Sequence, residues 1–147
     1  MGAPPGTNYK VAAWDSDAVS MSEVREGLRY TREHEWAKAE GENCRVGITD
    51  HAQGEMTEIV YAEVPEVGRK VKKGEPLGAV ESVKTVADVY APVSGEVVEA
   101  NKAVEANTQL INENPYDGGW IAVIRMSDPA ELDDLMDASR YREFLGE

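Results

Sequence analysis

The segment Gly78 to Pro92, GAVESVKTVADVYAP, is valine-rich strand material with one lysine, Lys84, at its centre. It lacks the Asn-Gly or Asp-Gly pair that announces a tight hairpin. On periodicity alone Lys84 faces solvent in mid-strand, the ordinary place for a strand lysine. Its chemistry differs if the chain reverses there, because an amine at a hairpin tip has no packing duty and can be reached and acylated by an enzyme. Three other groupings could do chemistry. His34-Glu35-Trp36 lacks the second histidine of a His-Glu-x-x-His zinc site. His51 with Asp50 and Glu55 resembles a metal cluster, but a capped helical turn explains it more simply, so no metal site is expected. Cys44 could act as a nucleophile beside a histidine, yet nothing in the sequence places a base or an oxyanion hole next to it. A small buried or strand-edge residue is the simpler expectation.

The elements that must position these residues are short. LRYTREHEW and CRVGITD read as strands joined by the turn Glu40-Gly41-Glu42-Asn43. Asp50 is placed to cap a helix over residues 51–56, and EIVYAEV (58–64) alternates as a further strand. Asp128, Pro129 and Glu131 form a helix-start pattern. Leu132, Leu135 and Met136 follow on one face, then a second short helix over 140–145. Trp36 and Trp120 are expected in the core and at its rim. A repeat runs through the middle of the chain: Gly68, Val71, Gly74 and Leu77 recur 33 residues on as Asn101, Val104, Asn107 and Leu110. Glycine and asparagine are the residues most tolerant of a left-handed backbone, so positive φ is expected at all four turn positions. Two related β-units then make a sandwich or flattened barrel, and the segment joining them must reverse direction near Lys84.

The 147 residues suffice for one domain with a real core. Residues 1–20, MGAPPGTNYKVAAWDSDAVS, show no capping pattern, no arginine and no apolar signal core. They read as a leader or disordered extension ahead of a domain over 21–147. The formal charge is -13, and we read no basic stripe, which argues against nucleic-acid and anionic-membrane partners. Partners with basic docking surfaces suit it better. Cys44 is the sole cysteine, excluding an internal disulfide. No arginine-rich transit segment is present, so a bacterial cytoplasm is expected over a mitochondrial matrix.

At this point the residues become recognisable. GAVESVKTVADVYAPVSGEVVEAN, REHEWAKAEG, VGITDHAQGEMTEIVYAEVPEVG, INENPYDGGW and SDPAELDDLMDASRYREFL together resemble the H-protein family of the glycine cleavage system, from about Leu28 to the C-terminus. The resemblance implies a mainly β hybrid barrel-sandwich of the lipoyl/biotinyl type with short and C-terminal helices. It implies lipoate in amide linkage on Lys84, within the attachment motif Glu81, Ser82, Val83 and Asp88. It implies a non-catalytic carrier, modified by lipoate-attaching enzymes; the sequence leaves the oligomeric state open, with a monomer as the default expectation. Such a carrier serves a glycine decarboxylase (P protein) that releases carbon dioxide and reductively loads an aminomethyl group, an aminomethyltransferase (T protein), and a dihydrolipoyl dehydrogenase (L protein) that reoxidises the dithiol. A surface cleft beside His34 and Glu35, with Asp88 nearby, would shelter the arm. Two alternatives share the architecture. A biotin carrier would usually flank the lysine with methionines, where this chain has Val83 and Thr85. An H-like protein could relay lipoyl groups to 2-oxoacid dehydrogenases. A stand-alone enzyme using His34, Glu35 and Cys44 would instead be active unmodified.

Overall fold

The computed structural model describes residues 22–146, so the expected leader over 1–20 lies outside the described residues. Strand β1 (Arg29–Tyr30) pairs with β2 (Glu35–Glu40), which turns back into β3 (Asn43–Ile48). The β2–β3 turn falls where the sequence placed it. Glu40 pairs with Asn43 across the two-residue loop Gly41-Glu42, and Gly41 takes φ 66°, a value glycine reaches without a Cβ clash.

Helix α1 (Asp50–Met56) starts one residue earlier than expected. Thr49, not Asp50, is its cap: the Thr49 hydroxyl accepts from the Ala52 N–H at 3.2 Å. Asp50 sits in the first turn, where its carboxylate accepts from Glu23 N (2.8 Å) and from the Gln53 side-chain amide (2.9 Å). Strand β4 (Ile59–Glu63) then runs antiparallel to β6 (Pro76–Ser82), after the short β5 (Lys70–Val71). The expected alternation of β4 is broken by a bulge. Ile59 pairs with Ser82 and Tyr61 with Glu81, leaving Val60 as the extra residue, so Val60 and Tyr61 are both exposed between buried Ile59 and Ala62.

After β6 come β7 (Val86–Tyr90) and β8 (Gly95–Ala100), helices α2 (Ala103–Ala106) and α3 (Gln109–Glu113), and β9 (Ala122–Met126). Two sheets result among the described residues: β1-β2-β3-β9-β8-β5 and β4-β6-β7. Ile59, Leu77, Val80 and Val89 of the small sheet pack with Val46, Val97 and Ile124 of the large one in a single core. Each fully buried aliphatic side chain stabilises the fold by roughly 1.5–3 kcal/mol. The mainly β two-sheet architecture with short helices is the one expected.

Three further expectations need correction. The repeat does not extend to the backbone. Gly68 and Gly74 take φ 96° and 90°, but Asn107 takes φ -140°, and Asn101 also avoids positive φ. Their side chains do other work. Asn101 donates to the carbonyls of Gly118 (3.0 Å) and Trp120 (2.7 Å), and Asn107 accepts from Gln109 N (3.3 Å), so these asparagines fasten loops and helix starts. The pattern at Asp128 produces a 3₁₀ segment (Pro129–Asp134) and not an α-helix. Asp128 does cap it, accepting from Ala130 N at 3.2 Å, but Glu131 reaches away to accept from Ser94 N (2.6 Å) and Ser94 Oγ (3.0 Å). Helix α4 (Ala138–Leu145) follows, packing Tyr141 against Tyr30 with ring centroids 4.4 Å apart. Finally, the acidic chain does carry a basic edge: Arg69, Lys70, Lys72 and Lys73 are all exposed around β5.

Gly78 sets how closely β6 approaches β4, because a Cβ there would strike the Glu63 carbonyl oxygen. Gly78→Ala should therefore lower unfolding stability by about 2 kcal/mol or more. Gly54→Ala, which meets nothing within 4 Å on α1, should raise it by roughly 0.5–1 kcal/mol. Urea unfolding of both variants checks the contrast.

Candidate functional site

The β6–β7 hairpin places Lys84. Its last ladder pair is Glu81 with Val86, and the chain reverses through residues 82–85. The turn is closed by a backbone bond from Ser82 N to Thr85 O (2.8 Å) and by the Ser82 side chain. Ser82 Oγ accepts from Lys84 N and Thr85 N, each at 3.2 Å, and donates to Thr85 O at 3.4 Å. A buried serine hydroxyl thus satisfies the tip, which is why no Asn-Gly pair is needed. Ser82 is 5% exposed and Val83 73% exposed, so the motif alternates anchor and display. Lys84 is exposed, and no ion pair holds its ammonium among the described residues. Glu81 is exposed on the outer face of the small sheet, and Asp88 lies on that same face, opposite Ala79 and Glu63.

Beside the hairpin is a cleft of about 250 Å³, lined among others by His34, Glu35, Met56, Val80, Thr85 and Asp88. It therefore joins the hairpin to His34, at the end of the β1–β2 loop, and Glu35, the first residue of β2. Glu35 is 1% exposed. Its carboxylate accepts from the Thr31 hydroxyl (2.5 Å) and from Tyr90 N (3.0 Å), tying the β1–β2 loop to β7. Burial pushes the Glu35 carboxyl up to about 7, against those hydrogen bonds, which favour its ionised form. His34 adopts φ 73° and sets its Nδ1 2.7 Å from the Tyr141 hydroxyl, which is in turn 2.8 Å from Thr49 Oγ1. Its ring lies 4.7 Å from that of His51, and burial, then the charge of His51, hold it below the ordinary imidazole range.

His51 pairs with Glu55 at 3.4 Å, and Asp50 turns to Glu23 and Gln53, so the suspected cluster is a helical turn. Cys44 is fully buried, and burial pushes its thiol up to about 12, leaving no thiolate near neutral pH. Thr31 and Tyr141, which hold Glu35 and His34, were not picked out from the sequence. Each contact spans a loop or 107 residues, and neither spacing has a periodic signature.

A family model for the glycine cleavage H-protein matches residues 28–147. The chain is 52% identical over 120 residues to the glycine cleavage system H protein of Geobacillus kaustophilus, covering 82% of this chain and 94% of that one. It is 50% identical over 125 residues to the glycine cleavage system H protein of Anaeromyxobacter dehalogenans, covering 85% and 98%. The crystal structure of a glycine cleavage system H protein from Mycobacterium marinum superposes with a TM-score of 0.78 at 35% identity, over 84% of this chain and 100% of that one.

Two outcomes follow from the geometry. Ser82→Ala should leave the Lys84 and Thr85 amides without their acceptor, and their hydrogen exchange should accelerate at least about tenfold for a loss near 1.4 kcal/mol. Folded Glu35 holds its proton more tightly than the unfolded chain, whose value is near 4.5, so its ionisation costs stability as pH rises from about 4.5 through about 7. Glu35→Gln should therefore gain on the parent by up to about 3 kcal/mol between pH 4 and pH 8, measured by urea unfolding at each pH.

Proposed function

This chain belongs to the glycine cleavage H-protein family, and we propose that it is a lipoyl carrier, acting as one domain over residues 21–147 with lipoate in amide linkage on Lys84. The observation that carries the reading is the position of Lys84, an exposed amine at a hairpin tip whose backbone is fastened by Ser82. The residues present fit the group. The amine is free of ion pairs among the described residues, and the cleft begins at Thr85, the next residue along. Lysine and lipoyl chain together reach about 14 Å, estimated from standard bond lengths.

When attached, the dithiolane supplies the chemistry of accepting an aminomethyl unit from glycine decarboxylase, releasing it to the aminomethyltransferase and being reoxidised by dihydrolipoyl dehydrogenase. The protein's residues perform presentation and shelter. Ser82 holds the tip in one conformation, so that Lys84 projects the same way toward each partner. Tethering keeps the arm at an effective concentration on the order of millimolar for a docked enzyme. Met56 and Val80 give the cleft apolar walls, against which a seated arm would be shielded from water. Glu35, Asp88 and the neutral His34 line the same cleft. A cationic load there would be attracted by Glu35 and would favour its ionised form, while a neutral imidazole adds no repulsion. On this reading the chain does not itself catalyse, and it works in a bacterial cytoplasm, in keeping with its bacterial relatives.

Intact mass and peptide mapping after expression with added lipoate test the attachment. One lipoyl adduct at Lys84, absent from Lys84→Ala, is expected. An unmodified chain under conditions that modify another H protein would overturn the reading, and a biotin adduct would replace it with a biotin carrier. Glycine turnover with the P, T and L proteins then separates glycine cleavage from a lipoyl relay.

A further inference from the structure

Most of the large apolar side chains left in solvent among the described residues surround Lys84. Val60, Tyr61, Val83 and Val86 are exposed, Val86 at 64% and Tyr61 at 53%. The ladder sets them side by side. Tyr61, Glu81 and Val86 form one row across β4, β6 and β7, and the bulge at Val60 turns a second consecutive β4 side chain outward. Glu58, Glu63, Glu81 and Asp88 are exposed around this patch, and none of them is in an ion pair among the described residues. An apolar patch edged by carboxylates outside any ion pair is the signature of a docking surface, although Arg69 lines the same groove as Glu63 and Asp88.

We propose that this face of the small sheet is the docking surface for the enzyme that acylates Lys84, and that the enzyme meets it with an apolar groove edged by lysine or arginine. The inference rests on the carrier reading of Lys84. Reach selects this partner over the others. An enzyme acting at the far end of the arm can stand about 14 Å from the hairpin, whereas one forming the amide must bring its acyl carbon to Nζ, only about 6 Å from the Lys84 Cα. Its surface must therefore rest on the residues flanking the lysine, Val83, Val86 and, across the sheet, Tyr61. In the reaction the Lys84 ammonium gives up one proton to solvent, and Nζ attacks the carbonyl of an activated acyl donor, a mixed anhydride or a thioester. The C–N bond forms as the bond to the leaving group breaks, that group departs with the electron pair, and Nζ releases a second proton to solvent to leave the neutral amide. The carboxylates at its edge would steer a cationic groove onto the patch.

The test uses the unmodified chain with a purified lipoate–protein ligase, lipoate and ATP. The variant Val60→Ser/Tyr61→Ser, altered only at exposed positions, should raise KM for the protein about tenfold with kcat retained. Glu58→Lys/Glu63→Lys should lower kcat/KM and flatten its dependence on ionic strength. A direct titration of the ligase with Lys84→Ala should show the same loss of affinity when Val60→Ser/Tyr61→Ser is added. Unchanged KM and affinity in both variants, with the parent chain modified normally, would overturn the docking surface alone. Failure of the parent chain to be modified would overturn the carrier reading along with it. A change in oligomeric state with unchanged KM would assign the patch to a second copy of the chain and overturn the proposal.

Discussion

The hydroxyl of Ser82 is the small interaction on which the arrangement depends. A hairpin tip in valine-rich sequence has backbone N–H groups facing no ladder partner, and it lacks the glycine or asparagine that would let it turn tightly. Ser82 supplies the missing acceptor from inside the sheet, where pairing with Ile59 keeps it buried. Because the anchor is buried, the neighbouring positions are free to be exposed, and the chain can hold out Val83 and Lys84 without loosening the turn. The reversal, the display of the amine and the register of β4 against β6 are thus one packing solution.

A second constraint fixes what lies beneath the hairpin. Glu35 bridges the Thr31 loop and the backbone of β7, at the cost of burying a carboxyl whose ionisation the interior resists. Such a group ties the large sheet to the small one at the cleft and can change its protonation with what occupies that cleft. Tyr141 of the C-terminal helix plays the matching part for His34, through a phenol that also meets Thr49. The cleft is therefore assembled from β2, α1, the hairpin and, through Tyr141, the end of the chain.

Much of this was legible from the residues. The β2–β3 turn showed itself in Gly41, and the capping residue Asp128 in its spacing. The reversal at Lys84 followed from the need to join two β-units, even though the repeat that suggested it holds only in part. Its apolar positions Val71 and Val104 are both buried, while its asparagines serve as side-chain fasteners and not as left-handed turns. What could not be read is of one kind. The bulge at Val60, the turning of Glu131 to Ser94 and the hold of Thr31 on Glu35 depend on which distant backbone arrives nearby, and no local periodicity encodes that. The basic residues around β5 were visible in the sequence and were masked by the weight of the overall negative charge.

The central claim is that the fold, and not the short motif, presents Lys84 for modification. The direct measurement compares lipoyl transfer to the intact chain with transfer to a synthetic peptide of the same 15 residues, Gly78 to Pro92. The account predicts modification of Lys84 in the folded chain and little or none in the peptide, which lacks the buried Ser82 anchor and strand β4. Equal modification of both, or none at Lys84 in the intact chain, would contradict it.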